Sequence, residues 1–122
     1  MTTPDPQRFA EHWVASWNAR DVEAVLAGCA DDVVFTSPTA ARVVPGSGGT
    51  VHGKESLRAY WTAALRGNPD LRFELVAVYA GVDTVAVQYR DQAGRQVCEV
   101  LTFTDGFVAV GHATHLRTAN GS

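Results

Sequence analysis

A chain of 122 residues with 46% hydrophobic content is long enough to enclose one core and too short for a second domain, so residues 1–122 are expected to form a single unit with its core over about 6–116. Thirteen Asp and Glu against ten Lys and Arg leave a formal charge of −3, with both signs scattered, which excludes the basic stripe of a nucleic-acid binder. The start, "MTTPDPQRFAEHW", has neither the basic region nor the apolar run of a signal peptide, and no apolar stretch approaches bilayer length, so a cytoplasmic protein without a membrane partner is expected.

In chain order, Phe9, Ala10, Trp13, Val14 and Trp17 form the stripe of an amphipathic helix over 6–18. Asp21 is the cap of a short second helix, "VEAVLAGC", and "DDVVFTSP" is a strand halted by Pro38. The Gly-rich "TAARVVPGSGGTVHG" is too long for a simple connection and reads as a mobile loop or a lid, with His52 within reach of whatever lies beneath. A third helix runs from Lys54 to Arg66 with Leu57, Tyr60, Trp61, Ala64 and Leu65 on one face. The rest is sheet: "LRFELVAVY", "TVAVQYR", "QVCEVLTF" and "FVAVGHATHL" follow one another as an antiparallel meander. Cys29 and Cys98, two cysteines without an export signal, read as free buried thiols.

One residue breaks the pattern. In "VCEVLTF" the odd positions Val97, Leu101 and Phe103 form an apolar strand face, and Glu99 stands in its middle. A carboxyl group so enclosed must be paired, protonated or close to water. If Gln92-Ala93-Gly94 is a three-residue hairpin loop with Gly94 left-handed, Val87 sits opposite Glu99. A two-residue Asp105-Gly106 turn in the last hairpin pairs Phe103 with Val108 and Leu101 with Val110, and then puts His112 opposite Glu99. A three-residue loop slips the register by one and sends His112 to the other face. The first register joins the two most apolar faces and is preferred.

The order of these elements, with "WNARD", "ADDVVFTSP", "HGKESLRAYW", "NPDLRFE" and "FTDGFV", resembles the NTF2-like superfamily, and most closely its SnoaL-like and steroid delta-isomerase-like branch. The resemblance implies an α+β cone fold in which three N-terminal helices pack on a curved antiparallel β-sheet and enclose a pocket for a small apolar molecule. Its motifs specify fold better than reaction, because the superfamily includes isomerases, cyclases, hydrolases and proteins that only bind or dimerise. The steroid isomerases' proton-shuttling aspartate falls at Ser37, their oxyanion tyrosine at Trp13 and their supporting tyrosines at Cys29 and Trp61, so ordinary steroid isomerisation is not expected. Their second acid survives as Glu99. The SnoaL-like cyclases use an acid–base carboxylate at the base of the cone, and Glu99, with His112 beside it, is the counterpart this sequence offers.

The inward stripes and strand faces predict a pocket bounded by Phe9, Trp13, Trp17, Phe35, Trp61, Phe73, Val87, Glu99, Leu101 and His112. Within it, Glu99 is the expected acid or base, His112 tunes it, and Ser37 or Trp13 orients a carbonyl or hydroxyl. The expected function is a cofactor-free, metal-free acid/base isomerase, cyclase or hydrolase acting on a small apolar carbonyl or hydroxyl compound. The alternative is a binding or dimerisation domain without turnover, in which Glu99 and His112 are a structural pair and the aromatic residues are core. A homodimer is expected through the outer sheet face, where Val76, Val78, Ala86, Val100, Ala109, Gly111 and Ala113 would form a flat patch. Two motifs fail. Gly48 to Lys54 has phosphate-loop spacing, but Glu55 replaces the metal-binding hydroxyl, and the glycosylation triplet at Asn120 carries no weight in a chain that is not secreted.

Overall fold

Capping chemistry sets the helix boundaries. In the computed structural model, which describes residues 3–117 and so leaves the Asn120 triplet outside, the Asp5 carboxylate accepts from the Arg8 N–H and Pro6 opens helix α1, Pro6–Asn18. Its buried stripe is Ala10, Trp13, Val14 and Trp17. Arg20 takes a left-handed backbone with φ 59 and turns the chain, and its guanidinium donates to the carbonyls of Leu65, Asn68 and Pro69. Asp21 caps α2, Val22–Leu26, by accepting from Ala24 N–H, and β1, Cys29–Thr36, follows.

The long loop is more ordered than its composition suggests. Ser37 caps a further helix, α3, Pro38–Val43, and a short strand β2, Thr50–His52, leads into α4, Lys54–Arg66. There are therefore four helices among the described residues instead of three. The proline that ends β1 also has the fixed φ of a first helical residue, so Ser37-Pro38 stops one element and starts the next. Gly49, at φ 95, closes this segment: Ser37 N–H donates to its carbonyl at 2.9 Å, and a Cβ there would come within 3.2 Å of the Ser37 carbonyl oxygen.

Four further strands, β3 (Glu74–Ala80), β4 (Thr84–Arg90), β5 (Gln96–Thr104) and β6 (Phe107–His115), complete a six-stranded sheet in the order β2-β1-β6-β5-β4-β3. The sheet is mixed, not wholly antiparallel, because the meander starts at the far edge and its last strand returns beside β1 running parallel to it. No helix among the described residues is long and apolar enough to cross a membrane.

The two central hairpins differ in register. Between β4 and β5, Gly94 is left-handed at φ 83 and Val87 faces Glu99, as the three-residue loop predicts. Between β5 and β6, Asp105 and Gly106 both have positive φ, the two-residue turn forms, and Phe103 faces Val108. A β-bulge at Ala109 then shifts the strand, so that Leu101 faces Gly111 and Glu99 faces Ala113. His112 consequently lies on the outer face, exposed, within 2.6 Å of the Thr36 hydroxyl, which corrects the expected Glu99–His112 pair. The cause is Phe35, whose ring from neighbouring β1 covers Gly111 so closely that a Cβ there would stand 2.6 Å from the ring and 3.0 Å from Leu101. Valine cannot occupy that spot, and the bulge replaces Val110 with glycine. A second bulge between Leu75 and Ala77 turns Val78 inward to face Val87. Val78, Gly111 and Ala113 thus leave the predicted outer patch.

Candidate functional site

Helices α3 and α4 stand off the concave face of the sheet and leave an open cavity of about 1440 Å³. Trp17, Phe35, Trp61, Phe73 and Tyr89 line it, and Glu99 forms part of its floor. Edge-to-face contacts fix the walls: Trp61 receives Trp17 at 5.2 Å and Phe35 at 5.4 Å between ring centroids. Phe73 stacks on Tyr89 at 4.1 Å. The Trp17 indole N–H is buried among these rings without a nitrogen or oxygen acceptor.

Glu99 is only 4% exposed, and its two oxygens differ. The Tyr89 hydroxyl donates to Oε2 at 2.5 Å, and the Trp13 indole N–H reaches the same oxygen at a long 3.5 Å. Among the described residues no donor reaches Oε1, and with Oε2 taken by both donors and Glu99 on the cavity lining, Oε1 is the oxygen left for the cavity. Burial pushes the carboxyl up to about 7, against the pull of the two hydrogen bonds. Burial and the neighbouring Glu99 hold Tyr89 well above its usual range, so the phenol keeps its proton and acts as a donor. Because both donors occupy Oε2, a proton taken up by Glu99 resides on Oε1. This places a titrating group, poised near neutrality, at the floor of an apolar cavity.

Of the predicted site residues, Trp17, Phe35, Trp61, Phe73, Glu99 and Ser37 border the cavity. Ser37 does not reach Glu99: its hydroxyl accepts from Thr39 N–H at 3.1 Å and from the Tyr60 hydroxyl at 3.2 Å. Phe9, Trp13, Val87 and Leu101 are not walls but core below the floor. Phe9 meets Phe103 edge-on at 5.0 Å and Trp13 meets Trp61 at 5.9 Å, and these aromatic contacts fill the narrow end. Sequence reasoning missed Tyr89 as the partner of Glu99, although the signal was present: on paired strands it lies diagonally across from Glu99, within reach of a long side chain. It also missed Tyr60, Arg42 and Arg95 on the cavity wall. His52 and His115 border the opening. Among the described residues no group of three His, Cys, Asp or Glu side chains could hold a metal ion. Both cysteines are free, and burial pushes the Cys29 thiol up to about 12, which leaves it inert.

A SnoaL-like domain model matches residues 10–118. A SnoaL-like protein of unknown function from Burkholderia thailandensis is 40% identical, with a TM-score of 0.86 over 91% of this chain and 93% of that one. A candidate polyketide cyclase from Sinorhizobium meliloti is 15% identical, with a TM-score of 0.71 over 88% of this chain and 94% of that one. A candidate isomerase of the SnoaL-like family from Agrobacterium tumefaciens is 17% identical, with a TM-score of 0.71 over 91% and 97%. At these lower identities the likeness concerns the fold. No curated protein matches the chain.

Proposed function

The chain belongs to the SnoaL-like domain family, and from that premise we propose that it is an acid/base enzyme acting on a small, largely apolar carbonyl or hydroxyl compound held in the cone. The observation that carries this reading is Glu99: a carboxyl raised to about 7, with one oxygen clamped by Tyr89 and the other open to the cavity. Ionised, Oε1 takes a proton from a carbon next to a carbonyl; the C–H bond breaks, its electron pair moves into the enolate, and an O–H bond forms on Oε1. Returning that proton to a different atom completes an isomerisation; in a ring closure the enolate carbon instead attacks a second carbonyl, whose π electrons move to its oxygen, and that alkoxide takes the proton back from Oε1. Tyr89 keeps its own proton throughout and steadies the charge on Oε2. Ser37 accepts two hydrogen bonds and retains its hydroxyl proton to orient a ligand oxygen at the wall.

A panel of enolisable aromatic ketones in D₂O, followed by proton NMR, tests this before the natural substrate is identified. The protein should accelerate exchange of the α-proton, and Glu99→Gln should lower that rate by about 100-fold or more, while ligand affinity changes by less than about tenfold. Equal exchange by the two proteins would refute the assignment. The competing reading, a binding domain without turnover, is favoured by one observation: among the described residues no histidine or second carboxylate is hydrogen-bonded to Glu99. It predicts no exchange by either protein and a change in affinity alone.

The homodimer is also a proposal, with a revised patch. Ala86 and Val100 remain on the outer face and are joined by Val34 and Val110, all partly exposed. Sedimentation at tens of micromolar should give a dimer for the natural chain and a monomer for Val100→Asp; a natural chain that sediments as a monomer would remove the idea.

A further inference from the structure

The rim of the cavity differs from its interior in charge. Arg42 comes from α3, Arg95 from the β4–β5 hairpin and His115 from the end of β6, and all three border the same opening. Strand pairing brings two of them together, because His115 faces Val97, two residues beyond Arg95. Asp91, the nearest carboxylate, is committed to the hairpin: it accepts from the N–H groups of Ala93 and Arg95, both at 2.9 Å, and from the Arg95 guanidinium at 3.0 Å. Arg42 pairs with no carboxylate among the described residues. Partial burial and the fields of Arg42 and Arg95 hold the His115 imidazole below its ordinary range, consistent with their proximity, so the positive charge at the rim is carried by the guanidinium groups. Beside them Val43 and Leu116 stay 56% and 62% exposed, an apolar margin next to the cations.

The geometry points to a ligand with two parts: an aromatic or otherwise apolar body in the cone, and one oxyanion, a carboxylate or an ionised enol or phenol, held at the rim by Arg42 with support from Arg95. A guanidinium presents several N–H donors in a plane and matches an oxyanion in two-point contact. Glu99 and the cationic rim belong to the same cavity, so a molecule anchored by its anion presents its other end to Oε1. This inference deepens the enzyme reading and rests on it for the cavity being the ligand site.

Two dyes of nearly one shape test it, 8-anilinonaphthalene-1-sulfonate and the uncharged N-phenyl-1-naphthylamine, titrated into the protein at pH 7 and low salt. The anionic dye should bind at least about tenfold more tightly. Arg42→Gln should weaken the anionic dye about tenfold and the neutral dye by less than about twofold, Arg42→Lys should keep most of the preference, and added salt should weaken the anionic dye alone. Arg42 is exposed, so these variants should keep the melting temperature of the natural protein. Equal affinity for the two dyes, or an Arg42→Gln effect that is absent or equal for both, would overturn the anion preference and leave the cavity as ligand site intact. If neither dye binds, both are overturned.

Discussion

The concave face of the sheet has a closed half and an open half, and they are built from the same strands. In the closed half Val85, Val87 and Leu101 are 0% exposed, and Phe9, Trp13 and Phe103 fill the space under α1. In the open half Val97, Ala113 and Phe73 are only partly buried and face the cavity. Glu99 stands where one becomes the other. Its neighbours on one side are as dry as any core, which raises its pKa, while its free oxygen looks toward the opening. A carboxyl group wholly inside the closed half would be structural, and one wholly in the open half would have an ordinary pKa; the boundary gives both burial and access.

The largest expected contrast is in packing. Leu101→Ala should cost about 3 kcal/mol in urea denaturation, whereas Val97→Ala, on the same strand but in the open half, should cost less than about 1 kcal/mol. Equal losses would remove the distinction between the halves.

The second contrast is in pH. Glu99 has a folded pKa raised to about 7 from an ordinary 4.5, so between those values the native state holds a proton that the unfolded chain has released. Stability from this group is therefore full below about pH 4.5, falls as pH rises, and levels off above about 7; the loss is roughly 3 kcal/mol. Unfolding free energies of the natural protein and of Glu99→Gln, measured at several pH values, should differ by an amount that drifts in this direction across that window. A constant difference would mean that the carboxyl is not raised.

Gly111→Ala tests the bulge that seats Phe35 over Gly111. Its Cβ would press on Phe35 and Leu101 and should cost about 2 kcal/mol, with much of the loss recovered when Phe35→Leu is added, so that the two changes are markedly non-additive in denaturation. A smaller effect, about 1 kcal/mol, is expected from Tyr89→Phe, because the phenol is lost from Oε2 but the ring still stacks on Phe73. That variant should also raise the Glu99 titration further, visible in the carboxyl carbon resonance by NMR; an unchanged or lowered midpoint would show that Tyr89 does not hold the carboxylate.

Much of the fold was legible because its signals are local. The boundaries of α1 and α4, the turn at Gly94 and the pairing of Val87 with Glu99 follow from caps, periodicity and loop length. The anomaly of Glu99 was legible too, since an acid on an apolar strand face needs only alternation to be noticed. The place of His112 was not. The turn at Asp105-Gly106 formed as the sequence predicts, and the pairing expected from it still failed at Leu101, four residues before the turn, where its partner Gly111 lies under a ring from β1 that is distant in sequence.

From the sequence alone came the elements other than α3 and β2, the family and the position of the buried acid, because helix caps, two-residue alternation and turn residues act between neighbours along the chain. Only the tertiary structure decided which oxygen of Glu99 is free, that Tyr89 and Trp13 hold the other, that His112 faces outward, and where the core stops and the cavity begins. These depend on side chains from four strands and a helix competing for one volume. A bulge at Ala109 resolves that competition by giving Phe35 the space over Gly111, and such a contest has no local signature in the chain.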